Sequence, residues 1–372
     1  MKEQLLIDLF EDFALKEVKP IAKEIDETER FPKETVGKMA EIGLLGLPFN
    51  GYGGVGTSYK SYIDAVRILS KYCATTGVIL SAHTSLCASP IYYFGNEDQK
   101  NKYLPRLNSG KSLGAFGLTE PSAGTDASKQ QTKAIDKGTY YEITGSKIFI
   151  TNAVYADIYV IFAMTNPELG LKGISAFILE KNTPGFSFGP KERKMGIRGS
   201  STCELIFEKV KVPKENLLGK IGEGFKIAMS TLDGGRIGIA AQALGIAEGA
   251  FERAVDYVKT RKQFDKPIAS FQNTQFKIAE MKTQIEAARG LLYEAVKAKE
   301  NKENYSDKAA MAKLFASRTA FEIADQAIQL MGGYGYIRDF EIERYLRDAK
   351  ITEIYEGTSE VQKMVIAGKV LR

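Results

Sequence analysis

The stretch GAFGLTEPSAGTD, residues 114–126, divides the chain. On its N-terminal side apolar residues recur at three- and four-residue steps. Leu5, Leu6, Leu9, Phe10, Phe13, Ala14 and Val18 form one stripe, and Ile21, Ala22 and Ile25 continue it beyond Pro20, which predicts a helix kinked at the proline. A second stripe of Tyr59, Tyr62, Ile63, Val66, Leu69 and Tyr72 follows a glycine-rich loop, and the helical pattern runs to about Pro105. From Leu113 to Val212 the texture changes. Short β-branched and aromatic runs, 140–143, 158–163 and 174–179, alternate there with Gly, Pro, Asn and Asp clusters, the pattern of strands. After Gly224 helical spacing returns with Ile239, Ala243, Ile246, Ala247, Ala250 and Phe251, then near 274–299 and 306–331. The expected order is α, β, α, in three domains at 1–113, 114–220 and 221–372, the last a four-helix region.

Composition narrows the chemistry. The chain has 372 residues, 44% of them hydrophobic, enough for a large core and for more than one domain. Its net charge is +5, from 51 Lys and Arg against 46 Asp and Glu, an ordinary surface that does not call for nucleic acid. Cys73, Cys87 and Cys203 lack CxxC spacing and are odd in number, which suggests neither a disulfide framework nor a zinc knuckle and fits a reducing cytoplasm. His83 is the single histidine, so multi-histidine metal sites are excluded, and no metal is expected. Glu3, Asp8, Glu11 and Asp12 interrupt the N-terminal apolar residues, unlike a signal peptide, and no apolar run nears the roughly 18 residues that span a bilayer.

GYGGVG, residues 51–56, matches the G-x-G-x-x-G spacing of dinucleotide-binding turns, but Pro48 precedes it, its surroundings are helical, and residues 65–96 hold no acidic residue for a ribose. A helix-to-helix loop is the expectation. Four other segments have groups suited to a site. The turn 119–126 is dense in hydroxyls and small residues that can bring N–H groups to a polar ring or a phosphate. In KIFITN, 147–152, alternation puts Phe149 and Thr151 on one strand face, one to cover a ring and one to donate a hydrogen bond. Arg261 in RKQF and the paired glycines of QLMGGYG, 329–335, suit a pyrophosphate. In ITEIYEGTSE, 351–360, Glu356 and Glu353 both compete for the part of a desolvated base at a turn, and spacing alone does not separate them.

Taken together and in order, these segments resemble the acyl-CoA dehydrogenase family along essentially the whole chain, with GLTEPSAGTD, QLMGGYGYIRDFEIERYLRD and IYEGTSE carrying the likeness. The resemblance implies an N-terminal α-helical domain, a middle β-barrel-like or sandwich domain and a C-terminal four-helix bundle. It implies FAD as cofactor, with Phe116, Leu118, Thr119, Thr125, Phe149 and Thr151 about the flavin ring. Arg261, Gln272, Gln329, Gly332 and Gly333 would hold the adenosine and pyrophosphate, largely from a neighbouring subunit, and Thr358 and Glu360 from the subunit's own chain. A homotetramer follows as an expectation. Thr125, Asp233, Arg236 and Gly357 would meet the CoA thioester, and Glu356 would be the base. Branched- and long-chain relatives carry their base at the position of Gly235, which here has no side chain, so the resemblance implies the short- or medium-chain branch. The expected reaction is α,β-dehydrogenation of a short-chain, butyryl-CoA-like acyl-CoA to the trans-2-enoyl-CoA, or its reverse, with an electron-transfer flavoprotein as partner. An oxygen-using flavin oxidase or monooxygenase of the same fold is the alternative enzyme; a flavin-bearing nucleic-acid-binding relative would carry a basic extension. Lys129, Phe149 and Asp265 depart from the pattern, where a small residue, tryptophan and glycine are usual.

Overall fold

The computed structural model describes residues 2–371. Helices α1 (Lys2–Phe13), α2 (Ala22–Thr28), α3 (Lys33–Glu41), α4 (Tyr59–Tyr72), α5 (Ala74–Ser81), α6 (Ser89–Phe94) and α7 (Glu97–Asn108) form the first part. The expected kink is there: a π-helical turn, Ala14–Val18, and a 3₁₀ turn, Lys19–Ile21, separate α1 from α2 at the proline, which cannot donate to the preceding turn. The glycine-rich loop does join helical segments, with Gly51, Gly53 and Gly56 all at positive φ before Ser58 caps α4. The helical region ends near Pro105, which lies inside α7; a capping box of Asn96 and Gln99 starts this helix, and it runs to Asn108.

The middle part holds β1 (Gly114–Gly117), β2 (Lys133–Asp136), β3 (Tyr140–Thr151), β4 (Ile158–Met164), β5 (Ile174–Glu180), β6 (Phe186–Lys191), β7 (Thr202–Pro213) and β8 (Leu217–Leu218). They make one mixed sheet in the order β6-β7-β3-β2-β4-β5-β8, with β1 parallel to β4. The sheet curls so that Tyr159, Ile161, Phe177 and Leu179 of β4 and β5 meet Leu205, Phe207, Val210 and Val212 of β7 in one core. The alternate residues Ile158, Val160, Phe162, Ala176 and Ile178 point the other way and pack with Leu104 and Leu107 of α7. Both faces of β4 are therefore buried, which is why its sequence reads as an uninterrupted apolar run.

The last part is built on α8 (Gly224–Thr260), α9 (Gln272–Glu300) and α10 (Ser306–Met331), with the short hairpin β9 (Lys262–Gln263) and β10 (Lys266–Pro267) between α8 and α9. After α11 (Gly333–Tyr336), α12 (Ile342–Thr352) packs on α8 and α10 as a fourth helix, and α13 (Ser359–Val370) lies on α10. Small residues on α8, Ala240, Ala243, Ala247, Ala250 and Ala254, let its neighbours approach closely, and one continuous core joins α1, α4 and α5 to this bundle. Among the described residues no helix is long and apolar enough to cross a membrane.

Candidate active site

The segment between α12 and α13 carries two glutamates, and their surroundings separate them. Glu353 closes the end of α12 and pairs with Lys350 at 2.7 Å, while its carbonyl accepts from Ser359. Glu356 sits at φ +54°, a left-handed conformation uncommon for a side chain with a Cβ. That turn directs the carboxylate into the protein. The stem is half-buried, but Oε2 is shielded from solvent and has no hydrogen-bond partner. Burial pushes the carboxyl up to about 7, against the pull of Lys313 and then Arg236.

Gly235 on α8 faces this carboxylate: a side chain there would run into Glu356 Oε2 and Leu86. Flanking it on α8, Arg236 donates to Asp233 at 2.7 Å, and Ser306 at the start of α10 donates to the same carboxylate oxygen at 2.9 Å. Burial raises Asp233, opposed first by Arg236. Gly357, at φ +94°, offers its carbonyl to Lys313 at 2.5 Å and to Gln362 at 2.7 Å. Thus Asp233, Arg236, Glu356 and Gly357 come together, with Lys313 and Gln362 as fully buried additions that the sequence reading missed. Lys313 could have been found: it falls at helical spacing within the stripe Ala309, Ala316 and Ala320, where a charge has no solvent.

Beside this turn lies a cavity of about 320 Å³, lined by Phe149, Thr151, Met195, Ile354 and Tyr355 among others. Phe149 and Thr151 do share it, but not by simple alternation. The β3–β7 register shifts between Lys147 and Ile150, and Phe149 stands at φ +59° with its ring exposed, so a bulge re-aims it. Opposite, Asp348 accepts from the Ile197 N–H at 2.6 Å and Arg347 donates to the Met195 carbonyl at 3.0 Å, so α12 fixes the loop that forms this wall. The Tyr355 hydroxyl is bonded to buried Gln242 of α8.

Phe116, Leu118, Thr119 and Thr125 are not among the residues lining that cavity. Phe116 sets its ring edge-on to Phe162, Leu118 is buried in the core, the Thr119 carbonyl accepts from Ile148, and Thr125 is exposed in the turn. Fully buried Lys147 holds this turn against β3, donating to the Leu118 carbonyl at 3.2 Å, Glu120 at 2.7 Å and Gln130 at 2.8 Å. Arg261, Gly332 and Gly333 meet in a separate groove of about 490 Å³, where Arg261 lies over the Tyr334 ring. Gln272, at the start of α9, and Gln329, near the end of α10, are exposed and outside its lining. Thr358 caps α13, and Glu360 lies exposed in its first turn. The groove and the cavity have no lining residue in common.

His83 is committed to the fold: Nδ1 accepts from the Gly114 N–H at 3.0 Å, and burial lowers its pKa to about 4.

Three family models cover the chain: acyl-CoA dehydrogenase N-terminal domain over residues 1–111, middle domain over 115–210 and C-terminal domain over 222–371. A short-chain specific acyl-CoA dehydrogenase of Clostridium acetobutylicum is 58% identical over 372 residues, 100% of this chain and 98% of that protein. Among solved structures, butyryl-CoA dehydrogenase from Megasphaera elsdenii superposes with a TM-score of 0.98 at 52% identity, covering 100% of this chain and 98% of that one. A chain from work on the electron transferring flavoprotein of Acidaminococcus fermentans and flavin-based electron bifurcation gives 0.98 at 56% identity, with the same coverage.

Proposed function

Since this chain belongs to the acyl-CoA dehydrogenase family, we propose that it is an FAD-dependent oxidoreductase that converts a short-chain acyl-CoA to the trans-2-enoyl-CoA, Glu356 being the base. The observation that carries this is the meeting of Glu356 with Gly235: one shielded, unpaired carboxylate faces a helix position that has no side chain.

The α-proton of a thioester is only weakly acidic, so the base must be strong and the developing enolate oxygen must find donors. Desolvation supplies the first condition, because a carboxylate that has lost its water gains by taking a proton. The Glu356 backbone N–H is one donor to the thioester oxygen. Asp233, Arg236, Gly357 and Thr125 orient the CoA thioester. FAD, when bound, supplies the acceptor for the β-hydride. Its ring would be held by Phe149, Thr151 and Tyr355, which line the cavity, and by Phe116, Leu118, Thr119 and Thr125. Arg261, Gln272, Gln329, Gly332 and Gly333 would hold the adenosine and pyrophosphate of the neighbouring subunit's cofactor, and Thr358 and Glu360 those of their own. The separation of groove from cavity within one chain supports that division between subunits, and the assembly we propose is a homotetramer.

Electrons leave to an electron-transfer flavoprotein, and the same transfers run backwards reduce an enoyl-CoA. The protein works in the cytoplasm. Replacing Glu356 by Gln keeps shape but removes the proton acceptor, and stopped-flow reduction by butyryl-CoA is expected to fall by about 10⁴-fold, the upper end for a general base. Glu353→Gln should change it little. The reverse pattern would move the base to Glu353.

A further inference from the structure

Buried lysines are costly, because an ammonium without water must find compensation in the protein. Lys313 has no exposed surface. It lies on α10, and its Nζ donates to the carbonyl of Gly357, the residue after the base. We propose that Lys313 is a positioning residue for Glu356: its ammonium anchors the turn that carries the base and supplies the positive charge that the carboxylate faces inside the protein. This rests on the reading of Glu356 as the base.

Geometry supports each half. The turn is held from two elements at once, by Lys313 of α10 and by buried Gln362 of α13, whose Nε2 donates to the Gly357 carbonyl and, at 3.4 Å, to that of Glu356. Two consecutive positive-φ residues, Glu356 and Gly357, need such support, since a non-glycine residue in this region is strained. The charges around the base come from every element packed on it. Lys313 faces it from α10 and Arg236 from α8, while Tyr59 and Tyr62 of α4 and the adjoining Tyr355 feel its charge. Glu353 and Glu360 act on Lys313 from the ends of α12 and α13. Arg236 already pairs with Asp233, which leaves Lys313 as the cation without a carboxylate partner of its own in hydrogen-bond contact. Burial lowers Lys313 to about 8, opposed chiefly by Glu356.

The test follows reduction of FAD-loaded enzyme by butyryl-CoA across pH in the parent, Lys313→Met, Lys313→Arg and Gln362→Leu. In the methionine variant the pH at which the rate reaches half its plateau should rise by about one unit or more, the size expected when a close opposite charge is removed. The arginine variant keeps the charge and should keep that midpoint while the plateau falls. Loss of Gln362 removes a donor but no charge, so it should lower the plateau with the midpoint unmoved. Should Lys313→Met not fold, Lys313→Gln, uncharged but still a donor, must show the same upward midpoint. A midpoint that stays at the parent value in the uncharged variants overturns the proposal. Retained reduction in Glu356→Gln would instead overturn the reading of the base, whatever Lys313 does.

Discussion

The carboxylate of Glu356 fills the space that a side chain on Gly235 would need. Two distant parts of the chain, the middle of α8 and the turn before α13, therefore share one small volume, and a group large enough to act as base can occupy it from one of them only. Even a methyl at 235 would collide with Oε2. Gly235→Ala is expected to push the carboxylate aside and slow flavin reduction by butyryl-CoA by about 10²-fold, the usual consequence of misplacing a reacting group by roughly 1 Å. Stopped-flow reduction of FAD-loaded variant and parent checks this, and an unchanged rate would mean that the carboxylate works from another position.

Glu356 acts only when ionised, and burial raises its pKa to about 7. Below that value the carboxyl holds its proton and cannot take another, so the rate of reduction should climb as pH rises through about 7 and level off above it. Single-turnover reduction from about pH 5.5 to 9 gives the profile. A midpoint near that of an exposed glutamate would contradict the desolvated site.

Arg261 stacks over Tyr334 beside Gly332 and Gly333. Its loss should weaken retention of FAD more than it slows the chemistry of enzyme kept saturated with FAD, because a pyrophosphate partner lies away from the reacting ring. Equilibrium dialysis of FAD against Arg261→Ala tests the first part. If the groove serves a neighbouring subunit, light scattering of the holoenzyme should give a tetramer, and a monomer that retains FAD would refute the shared site.

Lys147 satisfies three acceptors with its three ammonium protons and leaves none for water. Lys147→Met strands Glu120, which keeps only the N–H groups of Gln131 and Thr132, and should cost about 3 to 5 kcal/mol of stability, as for other broken buried pairs. Urea denaturation measures it. A loss under about 1 kcal/mol would show that water reaches the carboxylate.

The three-part fold was legible because its periods differ. Steps of three and four mark α4, α8, α9 and α10, and β4 and β5 stand out as apolar runs. What escaped depended on contacts between distant residues. The bulge at Phe149 comes from pairing with β7, which alternation along β3 cannot foresee. Spacing alone leaves Glu353 and Glu356 equivalent and only the resemblance chooses Glu356; in the fold Lys350 takes Glu353, and the left-handed turn aims Glu356 at α8. Position 265 was legible as an oddity, an aspartate where glycine is usual, and it does stand at φ +63° after Phe264 at +53°, the conformation of a tight hairpin turn between β9 and β10.

The strand β4 belongs to two interiors, giving Tyr159, Ile161 and Ala163 to one and Ile158, Val160 and Phe162 to the other. Pulling the sheet away would strip an apolar face from the helices around α7, so neither can melt while the other stays native. The middle region should accordingly resist protease as long as the helices do, and calorimetry should record their loss in a single transition.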